Sequence, residues 1–159
     1  LKVPDPLIQK EFSRIMSLKD GKKKMSKSEP SDLSRINLTD DENLIINKIK
    51  KAKTDPLPLP STKEELETRP EAKNLLGIYS SLTDLTLEQS IKEFSGKNFS
   101  EFKEKLSEVS VEKIKPISHQ IKKLSSEIDY LDKILLDGQK KANEFASNKL
   151  KKMHEIVGF

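Results

Sequence analysis

The sequence predicts a mainly α-helical protein, a helical bundle preceded by one short strand and a lysine-rich loop. Charged residues make up 35% of the 159 residues and apolar residues 33%, a balance typical of a thin core wrapped in solvated helices. After about residue 40 the apolar residues recur at helical spacing, and capping residues, glycines and prolines fall at the ends of the periodic stretches. Both patterns favour helices over a thick sheet sandwich.

Composition and charge limit the classes of function. The chain has no cysteine, which excludes a disulfide scaffold and thiol chemistry and fits a reducing compartment. No apolar run approaches the roughly 20 residues of a membrane span. The net charge is +4, but five lysines fall within nine residues, which indicates a polyanionic partner: Lys19, Lys22, Lys23, Lys24 and Lys27. Because the sequence starts without Met or a signal-peptide pattern, we expect it to begin inside a longer protein.

The first 36 residues are predicted to hold little regular structure. Residues 1–12 contain two prolines and are predicted to be an irregular segment that leads into the first strand. Residues 13–18 are short, bounded and partly apolar, as expected of a single strand at the edge of a missing sheet. Residues 19–36 contain Gly21 and Pro30 without periodicity and are predicted to form a loop.

Three helices are predicted in the middle of the chain. Thr39 and Glu42 have the spacing of a capping box that starts the first, whose buried face carries Ile45, Ile49 and Ala52. Four lysines crowd the last turns of this helix, where cations suit the helix dipole: Lys48, Lys50, Lys51 and Lys53. Residues 54–61, with three prolines, form an exposed loop.

The second helix starts on proline and covers residues 70–82. Its inward residues are Leu75, Ile78, Tyr79 and Leu82. The third starts near Thr86 with Glu88 and ends at Gly96.

From Asn98 onward the sequence is almost unbroken helix. The apolar residues that step by three and four are Phe99, Phe102, Leu106, Val109, Ile114, Ile117, Ile121, Leu124, Ile128, Leu131 and Leu135. A two-stranded coiled coil has the same regularity, but Pro116 should bend the run and residues 125–126 offer a break, so packed bundle helices are preferred.

A further junction is predicted at Asp137-Gly138. The final helix, residues 139–156, is then expected to bury Ala142, Phe145, Ala146, Leu150 and Met153. Its exposed lysines are Lys140, Lys141, Lys149, Lys151 and Lys152.

The segment Lys24-Met25-Ser26-Lys27-Ser28 carries the chemistry. Two lysines three positions apart supply mobile positive charges, and hydroxyl and backbone N–H groups add donors, so the segment can wrap several phosphate oxygens. Such donors stabilise the negative charge that develops on a departing pyrophosphate. The alternative is a solvated lysine-rich loop without a ligand.

The pentamer resembles the signature of the class I aminoacyl-tRNA synthetases. Residues 14–30, including Glu29-Pro30, look like the end of the nucleotide-binding fold of the tryptophanyl-tRNA synthetases. Further segments resemble this family in order and spacing: 36–41, 54–55, 74–79, 115–117 and 135–142. The tyrosyl synthetases rank second, because their loop is normally not followed by an acidic residue and proline. The chain departs from the family at Glu29, usually aspartate, and between Pro70 and Asn74, where a glycine and a serine are usual.

The resemblance implies a fold and a set of site residues. Residues 1–36 would be the C-terminal edge of a truncated Rossmann domain, and residues 37–159 an α-helical domain on the anticodon side of tRNA. Lys24 and Lys27 would be catalytic, binding the ATP phosphates, with Ser26 and Ser28 as supporting donors and Met25 placing backbone near the adenine. Magnesium would travel with ATP, and the sequence has no metal-ligand constellation of its own.

The resemblance also implies what this chain lacks. The family's second signature, His-x-Gly-His, needs two histidines three apart, whereas His119 and His154 are the only ones here. The tryptophan pocket is likewise expected upstream, so we expect the chain alone neither to form adenylate nor to recognise tryptophan. The family implies a tRNA partner whose phosphates meet exposed lysines of the first and last helices, a homodimer and a cytoplasmic or mitochondrial-matrix location, with neither membrane nor DNA as partner. The alternative for these lysines is a solubilising face without a ligand.

A different class of protein is an alternative. An all-helical RNA-binding or scaffolding module without catalytic function would have the same helices, and its lysine loop would be a basic linker only.

Overall fold

The computed structural model describes residues 3–8 and 13–158. Packing divides the chain into two compact units, Leu1–Ser118 and His119–Phe159. The elements are β1 (Met16–Ser17), β2 (Asp20–Lys24), a 3-10 turn (Asp32–Ser34), α1 (Glu42–Lys50), α2 (Lys63–Leu66), α3 (Pro70–Thr83), α4 (Leu87–Phe94), α5 (Phe99–Ser126) and α6 (Ile128–Val157). The mainly α-helical fold class is confirmed.

The N-terminal region differs from the prediction. β1 and β2 form an antiparallel hairpin with Met16 opposite Lys24 and Ser17 opposite Asp20. The prediction of a strand without a partner is therefore wrong, and the predicted loop over residues 19–36 is wrong at Asp20–Lys24, which form β2. Lys22 and its neighbours form a strand because the backbone of β2 pairs with β1 and lies directly on the start of α3, a long-range contact that periodicity does not report. The Rossmann origin of this hairpin stays a prediction.

Helix α1 begins two residues later than the proposed capping box requires. Asp41, not Thr39, is the N-cap, and its Oδ1 accepts a hydrogen bond from the Leu44 N–H at 2.8 Å. Ile45 and Ile49 are buried, as predicted. Asp40, which precedes the helix, is buried too, and its charge is paired with that of Lys48 of α1.

Helices α3 and α4 lie close to their predicted bounds. Pro70 occupies the first turn of α3, and Thr86 caps α4 in a capping box completed by Gln89. Tyr79 and Phe94 from these helices meet Phe102 of α5, with ring centroids 4.8 to 5.9 Å apart and edge-to-face geometry. This aromatic cluster lies within the core of the first unit.

The long helices follow the prediction in one place and depart from it in two. The break after Ser126 is confirmed, but α5 continues through Pro116 and α6 continues through Gly138. A proline removes one donor, and an exposed helical glycine costs only about 1 kcal/mol relative to alanine. Helices of 28 and 30 residues tolerate both.

The predicted burial on α6 is wrong for this chain. Phe145 is 87% exposed, Leu150 51% and Met153 48%, and none of the described residues of α6 is buried. Helical periodicity identifies an apolar stripe correctly, but it does not say whether the same chain covers that stripe. Within the described residues, no helix is both long and apolar enough to span a membrane.

Candidate phosphate-binding site

The signature segment, residues 24–28, starts at the last residue of β2 and continues into a turn. The Met25 N–H donates to the Ile15 carbonyl at 3.0 Å, and the Glu29 N–H donates to the Ser26 carbonyl at 3.4 Å. The hydroxyl oxygens of Ser26 and Ser28 lie 3.0 Å apart. The segment is therefore tied to the hairpin at one end and closed by its own turn at the other.

The two signature lysines are exposed and unpaired among the described residues. Neither Lys24 nor Lys27 makes a side-chain hydrogen bond or ion pair with another residue in the described part of the chain. Neighbouring lysines do have partners: Lys23 Nζ lies 4.0 Å from Asp20 Oδ2, and Lys19 Nζ donates to Ser31 Oγ at 3.5 Å. Lys24 and Lys27 are therefore available to an anionic ligand, as is the exposed Lys22, whose side chain likewise makes no such contact in the described part of the chain.

Asn74 of α3 binds the backbone of β1, the strand that pairs with β2 and the start of the signature segment. Its Oδ1 accepts from the Met16 N–H and its Nδ2 donates to the Met16 carbonyl, both at 2.8 Å. The side chain is only 7% exposed, so both bonds are shielded from water. Sequence reasoning placed Asn74 in a family-like stretch without a role, because a buried asparagine on a helix gives no sign of which backbone it pairs with.

Gly21 allows β2 to lie directly on α3. A Cβ at this position would stand 2.6 Å from the Glu71 backbone nitrogen and from the Pro70 carbonyl carbon, distances that real Cβ atoms do not show. Any side chain here would push β2, and Lys24 at its end, away from the helix.

An ion pair links Glu71, in the first turn of α3, to Lys53, which follows α1. Lys53 Nζ lies 3.0 Å from Glu71 Oε1. Burial raises the pKa of Glu71, but hydrogen bonds from Lys53 and from the backbone N–H groups of Glu71 and Gly21 outweigh burial and lower it overall. Glu71 therefore stays ionised beneath β2 and accepts a bond from the glycine that makes the close approach possible.

A polar network follows the segment and reaches α1. Arg35 Nη1 donates to the Glu29 carbonyl at 2.9 Å, and Arg35 Nη2 lies 3.2 Å from Asp32 Oδ1. Lys48 Nζ lies 2.7 Å from Asp32 Oδ2 and 2.6 Å from Asp40 Oδ2. Contacts with Lys48 and Asn37 lower the pKa of Asp32 against a smaller opposing effect of burial.

Lys48 corrects the prediction for the lysines of the first helix. It was grouped with exposed cations that meet phosphates, but its side chain is fully buried and paired with two carboxylates. The signal that distinguishes it was present in the sequence, because Lys48 lies between Ile45 and Ile49 on the inward side of α1.

Comparisons with known proteins place this geometry in a family. Residues 1–116 match the model of the tRNA synthetases class I (W and Y). The chain belongs to this family. Tryptophan-tRNA ligase from Mesorhizobium japonicum is 48% identical over 156 residues, which cover 98% of this chain and 44% of the relative. The ligase from Rickettsia conorii is 50% identical over 159 residues, 100% of this chain and 48% of the relative.

A solved structure agrees with the sequence relatives. The tryptophanyl-tRNA synthetase from Mycoplasma pneumoniae superposes with a TM-score of 0.75 at 27% identity, covering 95% of this chain and 45% of that chain. The chain spans less than half the length of the curated relatives that it matches. These matches correspond to the C-terminal half of the tryptophan-tRNA ligases.

The two histidines of the chain lie on the long helices, far in sequence from the signature segment. His119 is exposed on α5 and His154 is exposed on α6. No group of three His, Cys, Asp or Glu side chains among the described residues could hold a metal ion. The signature segment offers ammonium and hydroxyl groups, which suit phosphate oxygens.

Proposed function

We propose that this chain is the C-terminal half of a tryptophan-tRNA ligase and that its signature segment binds the phosphates of ATP. The observation that carries the proposal is that the backbone of the segment is held in place while its two lysines are unpaired. The Met25 and Glu29 N–H groups donate to backbone carbonyls. Lys24 and Lys27 have no partner among the described residues. Such cations meet a ligand without first breaking an internal ion pair.

The reaction assigns a role to each group. A carboxylate oxygen of tryptophan forms a bond to the α-phosphorus of ATP as the bond from that phosphorus to the bridging oxygen breaks, and the electron pair leaves with pyrophosphate. Lys24 and Lys27 stabilise the charge that develops on the pyrophosphate, and Ser26 and Ser28 donate hydrogen bonds to its oxygens. Met25 places backbone near the adenine. Magnesium enters with ATP as part of the substrate.

The remaining steps require the rest of the ligase. In our proposal the histidine element and the tryptophan pocket lie upstream of this chain, so this chain alone is inactive. The tryptophanyl group then passes to tRNA, which the helical region contacts through exposed lysines of α6. We further propose a cytoplasmic homodimer as the working form.

Lys27→Ala in the full-length protein tests the proposal. Loss of a donor aimed at a developing charge is expected to lower kcat for tryptophan-dependent pyrophosphate exchange about 100-fold to about 1,000-fold, with tRNA affinity largely unchanged. Lys23→Ala is the matched control, since it removes an exposed lysine one position before the segment.

The alternative module makes the opposite prediction. A basic linker in a non-catalytic RNA-binding protein would show equal losses of exchange and tRNA affinity for Lys27→Ala, or loss of neither. Either pattern would reject the synthetase role of the segment.

A further inference from the structure

We propose that Arg35 is a positioning residue that fixes the C-terminal end of the signature segment and thereby the location of Lys27. This inference rests on the proposed function, because it assigns Arg35 an effect on catalysis through the signature lysines. Arg35 does not belong to the signature and touches no signature side chain in the described part of the chain.

The guanidinium of Arg35 is fixed in three directions. Nη1 donates to the Glu29 carbonyl at 2.9 Å, Nη2 lies 3.2 Å from an Asp32 oxygen, and Nε donates to Asn37 Oδ1 at 3.2 Å. The side chain is only 18% exposed. A planar fork with fixed donors satisfies three such acceptors at once, whereas a single lysine ammonium at the end of a flexible stem does not.

The acceptors of Arg35 are themselves held by α1. Asp32 pairs through its second oxygen with the buried Lys48, and Asn37 donates to both Asp32 and Asp40 at 3.0 and 3.2 Å. Asp40 also pairs with Lys48 at 2.6 Å. The guanidinium therefore connects Glu29 to an ion cluster around Lys48, a buried residue of α1.

The Glu29 end of the segment depends on this connection. Without Arg35, the hydrogen bond that closes the turn there is the one from the Glu29 N–H to the Ser26 carbonyl, which at 3.4 Å is long. Lys27 lies inside this turn, so release of Glu29 moves the Lys27 backbone. Displacements of about 1 Å at a catalytic group lower rates by up to about 100-fold.

The test is Arg35→Lys in the full-length protein, with Arg69→Lys as the matched control. Arg69 makes the same kinds of contact, with Asp55 at 2.6 Å and with the carbonyls of Pro58 and Leu57, but none with the signature segment. Both variants keep the positive charge and lose the planar guanidinium with its fixed donors. Measurements are kcat and KM for ATP and for tryptophan in pyrophosphate exchange, together with a thermal melt.

Arg35→Lys is expected to lower kcat/KM for ATP between about 10-fold and about 100-fold and to leave KM for tryptophan unchanged. Arg69→Lys is expected to shift the melt by a similar amount with exchange kinetics unchanged. If the two variants have the same kinetics, or if Arg35→Lys only lowers the apparent kcat in proportion to lost folded protein and leaves both KM values unchanged, Arg35 has a structural role only and the inference is overturned.

A double variant separates this inference from the proposed function. Adding Arg35→Lys to Lys27→Ala is expected to cost less than Arg35→Lys costs in the unmodified protein, because the route through Lys27 is already lost. Full additivity would overturn the positioning role. Normal exchange in Lys27→Ala alone would reject the proposed function of the segment, whatever Arg35 does.

Discussion

Lys27 and Lys48 lie 21 positions apart, and the molecule treats them in opposite ways. Lys27 is exposed in a turn and has no partner among the described residues, while Lys48 is fully buried on α1 between Asp32 and Asp40. A buried ammonium must be paired because its desolvation is costly, whereas an exposed one keeps its hydration until a ligand replaces it. The comparison shows that the lysines of this chain divide into those that hold the fold and those that remain available to a ligand.

The largest expected effect is on the buried lysine. Lys48→Met removes the cation and leaves Asp40 buried without its main partner, so the free energy of unfolding should fall by about 3 to 5 kcal/mol. Urea denaturation of the purified protein measures this change. A loss below about 1 kcal/mol would mean that water enters the site and that Lys48 does not differ from a surface lysine.

A smaller effect is expected on acidification. The pKa of Asp32 is lowered, chiefly by its hydrogen bond with Lys48. Stability from this pair is therefore complete above the ordinary Asp value of 3.8 and is lost as pH falls through the lower folded value. Melts between about pH 5 and about pH 3 should show the loss, and Asp32→Asn should show a shallower dependence. An equal slope in both proteins would assign acid sensitivity to other carboxylates, of which Glu71 also has a lowered pKa.

The smallest effect on stability is expected for the same substitution at the exposed lysine. Lys27→Met breaks no internal contact among the described residues, so the free energy of unfolding should change by no more than about 0.5 kcal/mol. The urea experiment used for Lys48→Met measures it directly. A loss comparable to that of Lys48→Met would show that Lys27 holds the fold and would remove the contrast between the two lysines.

The sequence was sufficient to predict the signature segment and several helix ends, but not the continuity of the long helices or the contacts that support the segment. Thr86, Pro70 and the break after Ser126 were predictable because capping and helix-breaking act over a few residues. The hairpin was not, since the stabilising partner of Met16 is Asn74, 58 positions away. Within the candidate site, the signature lysines could be named from their pattern, whereas Arg35 could not, because its main acceptor is a backbone carbonyl and a backbone group has no signature in sequence.

The close approach at Gly21 has a consequence for mutational screens. A search for inactive variants would recover substitutions at Gly21 and Asn74 alongside those at the lysines, although neither residue carries a group for a phosphate to bind. Purified variants would distinguish the two groups: changes at the lysines leave a normally folded protein with slow chemistry, while changes at Gly21 displace the strand that ends in Lys24. The backbone that supports the signature lysines is thus as restricted in sequence as the proposed function makes the lysines themselves.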